Sequence, residues 1–395
     1  MVKKNNALIF ILVLASLAFF QQEVESSKHS QNDRVILDIP GLEWHPTTNN
    51  LFVVDSHSFY EVSVPSMVEE RNQSIWYGYN TYFNLEENYL VEFGPSKNCS
   101  LWNMDPFRKQ EEVNMTPYLE RDIFTPYSEE AEDFYSYILT VAADRGLKKV
   151  IIGLDAGFDP VGSTEFEFIS SGIYVFDLVD HSGIMVEINQ SIGTIRPNPD
   201  NSDEFLLIGS DSVFLYNIKS HQLEMIDTIE DDIITAGWLN ETTLLYVSRT
   251  GETTIYNLAE RRVSNNFDLG EIRAATIDSN EKLILFSNTE STNISTYSLV
   301  NNSQVTLIMI DEKDKAVARI SSISPRGHVA VVFDDHVVWV YTNQGKMIGT
   351  FGAPHSARIL EQTRTTGETS DLEWWVVFAT IPVLGMLRRR DREVE

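Results

Sequence analysis

A single cysteine, Cys99, stands in 395 residues. No intramolecular disulfide can form, so the fold must be held by its core. Cys99 has no histidine or cysteine neighbour to suggest a metal or a nucleophile. It falls in a predicted strand, where a small buried hydrophobe is expected. Histidine is also sparse. The eight present are scattered, and none forms a His-x-x-His, His-Glu-x-x-His or Cys/His cluster of metal-ligating spacing. There is no glycine-rich phosphate loop and no Gly-x-Ser-x-Gly elbow. The sequence offers no catalytic residue, no metal site and no cofactor site.

Positive charge is the next shortage. The formal net charge is −28, and all of it lies between residues 28 and 372, where 24 Lys and Arg face 52 Asp and Glu. A field of that sign repels nucleic acid and anionic lipid head groups and favours solubility, cations and basic partners. The 43% hydrophobic and 11% aromatic content is enough for a sizeable core and excludes a disordered chain.

Apolar runs long enough to span a membrane comfortably are missing as well, but both ends carry shorter ones. Lys3 and Lys4 precede an apolar run from Ala7 to Phe20, the charge-then-hydrophobic order of a secretory signal. Residues 1–27 are therefore expected to be a signal peptide cut near Ser26 or Ser27, the alternative being an uncleaved anchor. At the other end, residues 374–387 are apolar apart from one threonine. As a helix they would measure about 21 Å, short of the roughly 30 Å hydrocarbon layer. Their flanks suit an anchor: Trp374 and Trp375 fit one interface, and Arg388, Arg389 and Arg390 can snorkel to the other. This tail resembles the short anchors and sorting tails of prokaryotic surface proteins. Residues 373–395 are expected to tether the chain to a membrane, with 354–372, rich in Ser, Thr and Gly, as a flexible linker. A packed terminal helix is the alternative.

Between residues 33 and 353 long helical periodicity is nearly absent. Short alternating or apolar runs recur between turn residues instead. One local pattern repeats: an aromatic, a small polar residue, then an apolar one. It appears at Trp102-Asn103-Met104, Phe176-Asp177-Leu178, Tyr216-Asn217-Ile218, Tyr256-Asn257-Leu258 and Tyr297-Ser298-Leu299, with looser copies at Val62-Ser63-Val64 and Tyr341-Thr342. The intervals are 40, 74, 40, 40, 41 and 44 residues. A period near 40 is that of four-stranded propeller blades. The 74-residue interval holds only one further strand pair and reads as one blade with two insertions. The predicted fold is an all-β, seven-bladed β-propeller.

The units resemble WD-repeat blades. Ser324-Pro325-Arg326-Gly327 matches the Ser-Pro-x-Gly turn between the first two strands of such blades, and Phe176-Asp177 and the Tyr-Asn pairs stand where the family has Trp-Asp. The regular Gly-His pairs that carry the family's His/Asp hydrogen-bond network are absent. The resemblance implies a fold and a preference for binding partners, and no chemistry.

Candidate contact residues follow from the two insertions. The first, 111–132, carries Tyr118, Phe124 and Tyr127 in a charged frame. The second, 156–168, is expected to be an exposed loop carrying Phe158, Phe166 and Phe168. Its acids give it a weak likeness to a calcium loop without the ligand order of one. Aromatics framed by charge can anchor a partner; the alternative is that both insertions simply pack over a neighbouring blade. Seven Asn-x-Ser/Thr sequons, at Asn72, Asn98, Asn114, Asn189, Asn240, Asn293 and Asn301, fit an exported glycoprotein. Asn240 and Asn301 are the best placed and Asn98, in a predicted strand, the worst. The expected function is a cell-surface, membrane-tethered scaffold that binds a protein or extracellular ligand without cofactor or nucleic acid. The competing readings are an exported propeller enzyme of quinoprotein or glycosidase type and an extracytoplasmic assembly factor.

Overall fold

The computed structural model describes residues 41–352, apart from 56–57, 75–79, 85–87, 95–96, 106, 162–165 and 310–314. The expected signal peptide, linker and anchor, including Trp374, Trp375 and Arg388 to Arg390, lie outside the described residues.

The described chain is almost wholly β. Its strands form seven four-stranded antiparallel sheets in chain order, the arrangement of a seven-bladed β-propeller. Blades one to seven occupy residues 41–74, 81–114, 131–187, 194–228, 233–268, 272–308 and 317–351. The 74-residue interval contains one sheet, as the spacing predicts.

The repeated triplet marks the end of each third strand. Its aromatic packs against the core, and its polar residue turns the chain. The Asp177 carboxylate accepts from the N–H groups of Val179 and Asp180, and the Asn217 amide oxygen from those of Lys219 and Ser220. Asn103 and Asn257 do the same for Asp105 and Glu260. Four residues after the polar position comes a left-handed residue in five blades: Met67, His181, His221, Arg261 and Asn302, with φ of 51° to 57°. This Asx-type turn is what the sequence repeats. The Ser324-to-Gly327 turn also forms between the first and second strands of its blade. Gly327 adopts φ 75° and donates its N–H to the Ser324 carbonyl at 2.8 Å.

The second strands are near-continuous apolar runs, buried on both faces. Each sheet uses both faces because the core lies between sheets. Distinct apolar clusters join blades one and two, two and three, three and four, four and five, five and six, and six and seven. A seventh, including Leu42, Trp44 and Tyr60 with Ala330, Val338 and Phe351, joins blade seven to blade one. The ring therefore closes through side chains. Trp44 Nε1 donates to Ser321 Oγ at 2.9 Å, and Asn49 meets His328 Nδ1 at 2.9 Å and Ser324 Oγ at 3.1 Å across the same seam. Fully burying one Phe or Leu contributes about 1.5–3 kcal/mol, so this junction needs no disulfide.

Candidate binding surfaces

Blade three departs from the others. Its first three strands, Ala131–Ala143, Lys149–Pro160 and Glu167–Asp177, run to 13, 12 and 11 residues. The fourth, Ser182–Glu187, pairs only with Gly172 to Asp177. The earlier parts of the blade thus form a three-stranded extension beyond its last strand. This corrects the expectation of an exposed loop over 156–168: residues 156–160 continue one strand and 167–168 begin the next. The expected loop over 111–132 is likewise only partly a loop, because residues 116–127 are helical.

Alternation gives the extension two unlike faces. One is sealed. Phe134 and Phe158 lie beneath the helical segment, whose Leu119, Ile123 and Phe124 are buried in the cluster between blades two and three. Phe124 and Phe158, candidate anchors from sequence, are therefore buried core residues. Tyr118 and Tyr127 are half-buried. Tyr118 packs on Phe176 and its hydroxyl meets His181 Nδ1 at 3.0 Å, while Tyr127 packs on Phe158.

The other face is open. Tyr137 is 57%, Phe166 47% and Phe168 58% exposed. Register places Tyr135 and Phe168 opposite Gly157, and Tyr137 opposite Asp155. The Phe166 ring rests on Gly157, where a Cβ would lie 2.1 Å from it. Sequence reasoning singled out Phe166 and Phe168 and missed Tyr137. The alternation of Tyr135 and Tyr137 was a signal for that face. Between residues 128 and 138, and 155 and 171, there is no Lys or Arg, while Glu129, Glu130, Asp133, Asp155, Asp159 and Glu167 are among the acids. Asp155 accepts from Ser171 Oγ, and from Ser191 Oγ at 2.6 Å, and Asp159 accepts from Tyr135 Oη at 2.8 Å. The described acids of the calcium-like stretch thus have protein partners. No group of three metal-ligating side chains occurs among the described residues.

The second surface is the central channel, a cavity of about 500 Å³ lined by the first strands of all seven blades or the residues beside them. Its charged lining residues are Glu43, Arg196, Arg273 and Arg319. Loss of water raises the Glu43 carboxyl above the usual carboxylate range, and Arg196 and then Arg319 pull it back. Glycosidase chemistry needs a carboxylate pair. The second described acid at the Glu43 mouth, Asp278, is buried, and its two oxygens accept the N–H groups of Glu281 and Ile323.

Of the sequons, Asn72, Asn114, Asn189, Asn240 and Asn301 are exposed, and Asn98 and Asn293 are half-buried. Asn98 donates its amide to Glu112 at 2.8 Å. No helix among the described residues is long and apolar enough to cross a membrane. No protein-family model matches the chain, and neither does any curated protein sequence.

Proposed function

We propose that this protein is an exported, membrane-tethered binding scaffold without chemistry of its own, and that a protein partner docks on the open face of blade three. The observation that carries the reading is the aromatic face of Tyr137, Phe166 and Phe168 on a rigid extension without basic residues. An exposed apolar patch rimmed by charge is an interaction surface in form, with rings as anchors and acids as rim. The complementary partner carries apolar side chains within a basic frame. Likeness to WD-repeat blades, through the Ser324-to-Gly327 turn and the Asx-turned third strands, supports the same reading, because such blades present rims and loops to partners.

The tether is the C-terminal segment, residues 373–395, entered through the linker 354–372, and export is directed by residues 1–27. Asn240 and Asn301, exposed at blade turns, are the preferred glycan acceptors. The docking test compares wild type with a Tyr137→Ser/Phe166→Ser/Phe168→Ser variant for partner retention and for melting. Lost retention at unchanged melting supports the proposal. Equal retention refutes it.

A further inference from the structure

We propose that the central channel binds a small multivalent anion, one bearing carboxylate or phosphate groups, through Arg196, Arg273 and Arg319. The sign of the channel is the first reason. Among the described residues, a chain of formal charge −28 places three arginines and one carboxylate, Glu43, along its axis. Chance lining by so acidic a sequence would give the reverse. The arginines come from three blades, four, six and seven, so no local sequence feature groups them; only ring closure does. Arginine does not deprotonate in proteins, so this charge cannot be shed at any working pH. Arg273 forms no ion pair with a described residue, and Arg196 acts on Glu43 through space without a contact ion pair.

The rest of the lining suits the same ligand. Thr81, Thr140, Thr194, Thr235 and Thr276 bring one hydroxyl from each of blades two to six, and hydroxyls donate to anionic oxygens. The volume of about 500 Å³ falls within the usual range of small-molecule sites, roughly 300–1,000 Å³. A channel whose lining is net positive, with low-dielectric walls, focuses its field inward. Outside, the acidic surface repels any extended polyanion, whereas a small anion reaches the channel mouth within about 8 Å of screened field at physiological salt. The ligand is therefore a small molecule, and acidic peptides and nucleic acids are excluded by the same charge that makes the channel distinctive.

Titration calorimetry on the full chain, with citrate and with pyrophosphate at about 0.15 M salt, distinguishes the carboxylate from the phosphate source. One site per chain with Kd below about 1 mM for either probe is expected. Arg196→Gln and Arg273→Gln should each weaken it about tenfold, ~1.4 kcal/mol. Glu43→Gln should tighten it, a gain that no misfolded variant would show. Arg262→Gln, on the outer surface of blade five, should leave it unchanged. Absence of saturable binding for both probes, or equal affinity in wild type and all channel variants, overturns the proposal.

Discussion

At the scale of single residues, burial decides chemistry. Cys99, on the third strand of blade two, is buried in the cluster between blades two and three, and burial, then Glu111 and Glu92, push its thiol up to about 12. The thiolate is the reactive form. Native protein at pH 8 should therefore resist a maleimide reagent and react only in denaturant; prompt native labelling would show that this core is open. Gly251 makes a second case. It holds φ 99°, and a Cβ there would stand 2.1 Å from the Gly270 carbonyl oxygen. Gly251→Ala should cost more than about 1 kcal/mol, read as a lowered melting temperature. Single residues also show what sequence could reveal. The small polar residue after the aromatic was visible as a repeat because most blades use a similar turn. Its role as an Asx acceptor was not, since an Asn in a list does not say which N–H it faces.

At the scale of elements, the extension of blade three shows where sequence stops. Phe124, Phe158, Phe166 and Phe168 look alike in a row of letters, and alternation separates faces without saying which one is covered. Coverage depends on the helical segment 116–127, which docks by tertiary contact. The two faces should respond differently to truncation. Phe124→Ala should cost about 3–5 kcal/mol, the usual penalty for emptying a buried aromatic site. Phe168→Ser should change stability by no more than about 0.5 kcal/mol. Denaturant unfolding of the two variants is the check, and similar losses would mean that the open face is also packed.

At the scale of the whole molecule, the period near 40 made the seven blades legible, because each blade solves the same packing problem. The channel was not legible: its lining comes from seven separated segments that only the closed ring brings together. Closure depends on the seam between blades seven and one, where His328 meets Asn49. Burial, and then Arg326, hold the His328 imidazole below its ordinary value of 6.5. The folded state then binds fewer protons than the unfolded one. The stability this gives is fully present above pH 6.5 and is lost as pH falls through the lowered folded value. Relief of carboxylate repulsion acts the other way as the −28 charge is neutralised, so the comparison must be with His328→Gln. Wild type should lose more stability than the variant between pH 6.5 and 5 in melting experiments, and parallel profiles would remove His328 from the seam's pH response.

The docking surface is tested most directly by photo-crosslinking in the producing cells, with a photoreactive residue at position 168 on the open face of blade three or at position 225 on blade four. Phe168 and Met225 are nearly equally exposed, at 58% and 59%, so accessibility does not separate them. A discrete adduct from position 168, absent from position 225 and diminished by Glu167→Lys, is the predicted result. Equal labelling at both positions, or none at 168, would contradict it.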